Sequence, residues 1–405
     1  MDHELDVLEL ADGKRLAVIA GDGDRLAALP QVRDGGRWRR AQPGDGVAEA
    51  LCRMLEASPD FSVRGRFAVH AWAARPVEGE RSVTVDQTNE SVIVGEAAVV
   101  KWATHLQEGP HPAPSRLQVL RTNGFRFMPQ PWGLVTWQPD SGAETLVANV
   151  DEYLPGAVDG WTWAVDLMAE AARGATARPA PVVSAVAEVA MVVAELHAAL
   201  ATTAVTASVA DAQRWRENAL ATLHEAQALS TPATAAVLHD RRAEIERTLA
   251  GLGALAGSPV IDGHGDLHVG QVLQCRGRYV VTDFDGNPVL PPQQRVLPIP
   301  AALDVAGMAQ SLAHVAIVAQ RHNDLDPHAL AVVDRDARRA FLDGYADGLA
   351  RLGHADLYDP APLPAFRLQQ VLREIVYAAR HLPRWMYVPD AALPALLDER
   401  ITGGR

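Results

Sequence analysis

The period of the apolar pattern changes once along the 405-residue chain, and that change constrains the fold more than any other feature. Up to about residue 150 the apolar residues come in short runs broken by turn dipeptides; from Trp161 onward they recur at helical spacing over long stretches. In the front part, Leu5 to Leu10 and Leu16 to Ile19 are separated by Asp12-Gly13. Gly21-Asp22-Gly23-Asp24, Asp34-Gly35-Gly36 and Pro43-Gly44-Asp45-Gly46 mark further turns. Val47 to Glu56 has helical spacing, and Phe67 to Arg75 alternates as a strand does. Ser82 to Val85 and Val92 to Val94 flank the polar turn Asp86 to Ser91, and Ala97 to Trp102 is another strand. A loop with Pro110, Pro112 and Pro114 precedes a short helix ending at Gly124, and Trp132 to Trp137 and Glu144 to Val150 complete the strands. Behind them the spacing predicts helices over Val182–Leu200, Val209–Leu229, Ala235–Leu252, Leu303–Arg321, Arg335–Leu352 and Leu363–Arg380, interrupted by strands and turns from Val260 to Tyr279. Ala- and Pro-rich patches at 172–181 and 230–235 have the composition of surface linkers. The expectation is an α+β, bilobal chain: a sheet-rich N-terminal lobe with an extra cap over 1–85, its remainder and a hinge over 86–155, and a mostly helical lobe over 156–405.

Composition narrows the partners. Apolar residues make up 48% and charged residues 21%, enough for sizeable cores and unlike a disordered chain. With 50 acidic and 37 basic side chains the formal charge is −13, a field that repels phosphate backbones and anionic lipid. Nucleic acid and membrane surfaces are therefore not expected partners, and no obligate protein partner is evident. The acidic start Met1-Asp2-His3-Glu4 is unlike a secretory leader, and no run of about 18 consecutive apolar residues predicts a spanning helix. Cys52 and Cys275 are too few for a disulfide framework or a cysteine metal site. The expected location is the cytoplasm.

The densest polar stretch in an apolar setting is Val260-Ile261-Asp262-Gly263-His264-Gly265-Asp266-Leu267-His268-Val269-Gly270-Gln271, followed by Thr282-Asp283-Phe284-Asp285. Alternating residues at 272–274 and 279–282, joined by Arg276-Gly277, predict a hairpin whose open end sets Gln271 beside Asp283, with Asp266 on the loop entering it. Three oxygen-bearing side chains at one hairpin mouth suit a hard cation such as Mg²⁺.

His264-x-Asp266-x-x-x-x-Gln271, followed twelve residues later by Asp283-Phe284-Asp285, resembles the catalytic and metal loops of the eukaryotic-kinase-like fold in its aminoglycoside phosphotransferase branch. That resemblance implies ATP and Mg²⁺ as cofactors, Asp266 as the base for the attacking hydroxyl, and Gln271 and Asp283 as metal ligands, with His264 bracing the loop. Gln271 departs from the commoner Asn by one methylene. In the front lobe the resemblance implies a phosphate loop at Asp86 to Ser91, where Thr88 and Ser91 carry hydroxyls, and a phosphate-binding lysine at Lys101. The helix glutamate that usually pairs this lysine is missing from Ser115 to Leu120, and Glu96 is a turn residue. Ala148 to Trp161 matches the hinge, so backbone near Asp151 would meet an adenine flanked by Val150 and Tyr153. Leu196-His197-x-x-Leu200 matches a further family element, where His197 is expected to be structural.

Glu152-Tyr153-Leu154-Pro155-Gly156-Ala157-x-Asp159-Gly160-Trp161, Gly265-Asp266-Leu267-His268-x-Gly270-Gln271 and Leu303-Asp304-Val305-Ala306-Gly307-Met308-x-x-Ser311 together are similar to the maltokinase-like group of actinobacterial sugar kinases. The tail from Arg373 to Asp390 is most similar to the glucosamine kinases in that group, which phosphorylate the 6-hydroxyl of D-glucosamine. The implied partners are a small-molecule amino sugar and ATP. Glu374, Tyr377 and His381 share one helix face, Pro383 ends that helix, and Trp385 follows where it could stack on a sugar ring. Carboxylates at Asp304, Glu374 or Asp285 would suit the ammonium of glucosamine, and His268 and Arg380 complete the candidate substrate-binding set. Maltose phosphorylation, aminoglycoside phosphorylation and a nucleotide-binding pseudokinase remain alternatives at this point.

Overall fold

The computed structural model describes residues 3–21, 26–83, 90–140, 142–174 and 180–402. As expected, the chain divides into a sheet-rich and a helical unit. The first comprises residues 1–122, 128–157 and 284–297, and the second 123–127, 158–283 and 298–405.

In the first unit, β1 (His3–Ala11), β2 (Lys14–Ala20), β3 (Leu26–Asp34) and β4 (Arg37–Arg40) form an antiparallel four-stranded sheet in sequence order. Helix α1 (Val47–Glu56) follows, with Val47, Leu51, Met54 and Leu55 on one buried face. The remaining strands are β5 (Phe61–Arg64), β6 (Phe67–Ala71), β7 (Glu80–Ser82), β8 (Glu90–Val94), β9 (Ala98–Trp102), β10 (Pro131–Trp137) and β11 (Thr145–Glu152). They pair in the order β5-β6-β10-β11-β9-β8-β7, and α2 (Ala113–Thr122) lies between β9 and β10 in sequence. The expected boundary at residue 85 is not where the sheets part. Strands β5 to β7 are built into the larger sheet, and the Glu80 carboxylate of β7 accepts the amides of Gly44, Gly46 and Glu49 at 2.8, 2.9 and 3.0 Å. Those amides belong to the start of α1, whose first N–H groups have no partner within the helix. Leu16, Leu51, Phe67, Trp102, Trp132 and Trp137 close one continuous core between the two sheets and α1.

The second unit opens with α3 (Gly160–Ala172), α4 (Pro181–Leu200), β12 (Val205–Thr206), α5 (Val209–Leu229), α6 (Pro232–Asp240) and α7 (Arg242–Ala250). The 230–235 patch is thus no linker but the start of α6, with Thr231 capping it and Pro232 in its first turn. The single helix expected over Ala235–Leu252 breaks at Arg241, whose side chain bonds Glu244, Asp398 and the Leu397 carbonyl. Next come β13 (Pro259–Val260) and the hairpin β14 (Val272–Cys275) and β15 (Arg278–Val281), turned by Arg276 and Gly277, both at positive φ as such a two-residue turn requires. The one-turn α8 (Pro292–Arg295) belongs to the first unit. Helices α9 (Ala301–His322), α10 (Pro327–Arg351), α11 (Leu363–His381) and α12 (Tyr387–Thr402) complete the second. Helical spacing does not reveal α12, because Pro389 and Pro394 read as breakers.

Helices α4 and α9 have the length and apolarity of membrane spans, although polar residues interrupt the apolar run in both. In this fold α4 lies along α10, and α9 packs on α3, α10 and α11, burying most of its surface. Two glycines set how closely elements approach the polar loop at 262–271. A Cβ at Gly160, the start of α3, would stand 1.7 Å from the Val269 carbonyl oxygen, and one at Gly307 in α9 would stand 2.4 Å from the Leu267 carbonyl oxygen. Gly307→Ala should therefore push that loop off α9, lowering stability by about 1–3 kcal/mol, the usual cost of overpacking. Urea unfolding measures it, and an unchanged midpoint would show that the loop gives way freely.

Candidate active site

The loop between β13 and β14 is held by one face of α9. Asp304, in the first turn of α9, is wholly buried. Its carboxylate accepts the His264 amide at 2.7 Å and the Gly265 amide at 2.8 Å, and His197 Nε2 of α4 lies 3.3 Å from Oδ2. Seven residues on, the Ser311 hydroxyl accepts the Val269 amide at 2.8 Å. Asp304, Gly307 and Ser311 are thus an i, i+3, i+7 stripe that grips both ends of the loop and leaves room for its middle. The carboxylate expected to face a sugar thus has its oxygens on loop amides and His197. Since His197 Nε2–H donates to Asp304, its Nδ1 accepts from the Tyr345 hydroxyl at 2.7 Å, and His197 is the structural group expected. Burial pushes the Asp304 carboxyl upward, but the His197 hydrogen bond, His197 and His264 nearby and the Gly265 amide hold it below the usual carboxylate range.

On this loop, His264 donates from Nε2 to the Thr282 carbonyl at 2.9 Å while its Nδ1 faces the Asp266 amide at 3.4 Å, the bracing role expected of it. Asp266 is enclosed. Burial raises its carboxyl above the ordinary value, and Asp283 adds to this; His268, Arg373 and His264 oppose it. Gln271 and Asp283 do meet at the hairpin mouth, with Gln271 Nε2 donating to Asp283 Oδ2 at 3.1 Å. Asp283 is exposed and has φ +67°, a left-handed conformation that Asp tolerates better than most side chains but at a cost on the order of 1–2 kcal/mol. Among the described residues no cluster of three or more His, Cys, Asp or Glu could hold a metal by itself. One carboxylate plus an amide oxygen is the sparse oxygen set that Mg²⁺ uses when phosphates supply the rest.

Around Asp266 the second unit gathers residues that the sequence singles out and others that it does not. Arg373, marked in the sequence only as the start of the tail, sits near both Asp266 and Glu374; burial pulls its guanidinium down, and the two carboxylates pull it back. Glu374 contacts His314 of α9, its Oε2 3.1 Å from Nδ1, and its side chain keeps 18% of its surface exposed. Burial pushes its carboxyl up, but His314, Gln370 and His268 bring it below the usual range. Trp385 meets Trp161 edge-to-face with centroids 5.3 Å apart, and Trp161 in turn lies 6.4 Å from His268, so Trp161 joins this wall. His268 accepts the Gly270 amide through Nδ1 at 3.0 Å. Arg380 pairs with Glu225 of α5 at the surface, and Tyr377 is exposed against His381; neither is drawn into this cluster.

The residues expected to meet the nucleotide belong to the first unit. Residues 86–89 of the phosphate turn, Thr88 included, lie outside the described residues. Ser91 on β8 pairs with Lys101 on β9, and Lys101 Nζ lies 3.9 Å from Asp151 Oδ2 of β11. Asp151, expected at the hinge, thus stands where the missing helix glutamate would, and Asn149 donates to it at 2.7 Å. Glu96 pairs with Arg81, as its turn position implied. Two hinge expectations change. Val150 is wholly enclosed in the core, and the amides of Glu152 and Tyr153 are already spent on the carbonyls of Gln130 and Ala97, at 2.8 Å each. The Tyr153 hydroxyl accepts from Arg81 at 3.0 Å. In α2 the buried group is Arg116, which donates to the carbonyls of Phe284 and Arg295 at 3.1 and 2.9 Å and so fixes the segment after Asp283.

Because the Asp304 carboxyl is depressed in the fold, its stabilisation is complete above the unfolded value of about 3.9 and is lost as pH falls through the lower folded value. Asp304→Asn leaves one loop amide facing an NH₂ group, a cost on the order of 1–3 kcal/mol. The stability gap to the parent should be full at neutral pH and narrow as pH falls below about 4, as read by urea melts. A gap independent of pH would remove the ionic role.

No protein-family model matches the chain. It is 64% identical over 397 residues to a glucosamine kinase of Mycolicibacterium smegmatis, covering 98% of both chains. It is 46% identical over 405 residues to a glucosamine kinase of Streptacidiphilus jiangxiensis, covering 98% of this chain and 91% of that one. A solved glucosamine kinase in complex with glucosamine, ADP and inorganic phosphate matches with TM-score 0.86 at 43% identity, over 98% of this chain and 94% of that one. A further crystal form of a glucosamine kinase matches with TM-score 0.88 at 43% identity and the same coverage. These matches run through both units, including the strands before residue 85, and the chain belongs to the glucosamine kinase family.

Proposed function

We propose that this chain transfers the γ-phosphoryl group of ATP to the 6-hydroxyl of D-glucosamine, releasing glucosamine 6-phosphate and ADP. The observation that carries the reading is that Asp266, Gln271 and Asp283 stand in kinase order in a chain 64% identical over its whole length to a glucosamine kinase. Asp266 takes the proton of the attacking hydroxyl, and its raised carboxyl makes it a better proton acceptor than an ordinary aspartate. The Gln271–Asp283 bond uses one amide N–H and leaves the Gln271 Oε1 outside it, so amide and carboxylate oxygens are both available to Mg²⁺. Bound there, the ion would neutralise charge on the phosphates. Lys101, held near Asp151, supplies a cation for the nucleotide, with Ser91 beside it on the neighbouring strand. Glu374 receives the ammonium of the sugar, and Trp385 with Trp161 offers apolar faces to the ring. ATP as donor and only two cysteines, both buried, suit a cytoplasmic enzyme.

A coupled ATP-consumption screen over glucosamine, glucose, N-acetylglucosamine, maltose and an aminoglycoside tests the assignment. Glucosamine should be the best acceptor, glucose poorer and N-acetylglucosamine poorer still, because acetylation removes the charge and adds bulk. An unpaired polar site costs about 1–3 kcal/mol, or roughly 5- to 150-fold in kcat/KM. Glu374→Gln should narrow the gap between glucosamine and glucose. Faster use of maltose, or no turnover of any acceptor despite nucleotide binding, would sink the reading.

Asp266→Asn should lower kcat by roughly 10²- to 10⁴-fold while holding the KM for ATP. In the parent enzyme the base must be ionised, so kcat/KM should fall on acidification through a value above the ordinary aspartate pKa of about 3.9. A variant defective chiefly in ATP binding would show that Asp266 is not the base.

A further inference from the structure

Glu374 is the end of a polar chain that runs through the helical unit with a single direction. On α12, Glu399 is shared by Arg338 of α10 and Arg367 of α11, at 2.8 and 3.0 Å. Arg367 donates from Nε to Gln310 Oε1 at 3.1 Å. Guanidinium nitrogen can only donate, so this contact settles which end of the Gln310 amide is oxygen. Its NH₂ then faces His314 Nε2 at 3.0 Å, and Nε2 must accept. The ring proton of His314 is therefore on Nδ1, 3.1 Å from Glu374 Oε2. On the other carboxylate oxygen, Gln370 Nε2 donates to Oε1 at 3.2 Å, and the Gln370 oxygen accepts from Arg373 at 2.8 Å. Gln310 and His314 are wholly inside α9's contact with α11, so water does not reach these contacts.

We propose that Gln310 and His314 are positioning residues for acceptor selectivity: the Arg367–Gln310 contact keeps His314 neutral with its proton on Nδ1, so that Glu374 is oriented without losing its charge. The inference rests on Glu374 being the group that meets the sugar ammonium. Its physical content is a charge count. Arg373 offsets one of the two carboxylates it faces, Asp266 and Glu374, and the trio keeps one net negative charge. A neutral His314 preserves that charge for an ammonium, whereas an imidazolium would cancel it. The donor arrangement excludes the imidazolium, because Nε2–H would point at the Gln310 NH₂. Selectivity for an amino sugar would thus be decided two side chains away from the sugar, by which way an amide faces.

Gln310→Glu is the test, since it keeps the shape and the Arg367 contact but offers His314 Nε2 an acceptor. The kcat/KM for glucosamine should fall roughly ten- to hundredfold more than that for glucose, chiefly through KM, which corresponds to weakening one hydrogen bond to a charged group. A ¹⁵N spectrum of the histidine rings in the parent protein, with His314 assigned by its loss in His314→Asn, should show Nδ1 protonated and Nε2 bare at neutral pH. That measurement does not depend on the folding of Gln310→Glu. An Nε2–H or doubly protonated His314 overturns the inference, as does an unchanged glucosamine-to-glucose ratio in Gln310→Glu. If Glu374→Gln also leaves that ratio unchanged, the failure lies with the Glu374 reading; if Glu374→Gln narrows it and Gln310→Glu does not, the failure lies here alone.

Discussion

The carboxylate of Asp304 is the fixed point of the helical unit. An unpaired buried charge would be costly, so burying Asp304 demands that its donors be in place, and those donors are the amides of His264 and Gly265 and the ring of His197. The demand works in both directions. Asp304 positions the loop that carries Asp266, and the loop satisfies Asp304. Ser311 and Gly307 extend the same logic along α9, one by a hydrogen bond to Val269 and the other by the absence of a side chain beneath Leu267. Tyr345 ties α10 into the arrangement through His197. A loop of irregular backbone is thereby tied to one helix face at both of its ends.

Around Asp266 the same unit balances charge closely. Burial pushes the carboxyls of Asp266 and Glu374 upward. Arg373, His268 and His264 bring the carboxylates back without neutralising the site as a whole. Gln370 donates to one oxygen of Glu374, the other lies 3.1 Å from His314 Nδ1, and Arg373 is the cation near both carboxylates. In the sheet-rich unit the economy is similar. Lys101 has its carboxylate on a neighbouring strand rather than on a helix, and α2 uses its buried position for Arg116, which fastens the segment after Asp283 through carbonyl oxygens.

Much of this is legible in the order of residues alone. The change of period near residue 150 marks two lobes, helical spacing places α1 and α5 residue for residue, and the interval from Gln271 to Asp283 brings amide and carboxylate together at one hairpin mouth. Local departures have local causes. Proline inside α12 and the side-chain bonds of Arg241 at the α6–α7 break countermand what helical periodicity suggests. The boundary at 85 fails because strand pairing joins segments without regard to their order, and β5 to β7 are claimed by the later sheet.

What the sequence determined by itself was everything carried by short-range spacing: the lobe composition, the loop, the hairpin and the chemistry of the three residues it joins. What only tertiary structure decided was the use of each lone charged or polar side chain. Asp304 and Glu374 look interchangeable as amine partners, yet one is spent on loop amides and the other keeps part of its side chain exposed. Arg373 and Arg380 lie two turns apart on one helix, yet one faces the base and the other an exposed glutamate. Nothing in their neighbours along the chain distinguishes them, because the energy of a charge is set by its burial and by the few groups within several ångströms, and those groups arrive from helices a hundred residues away.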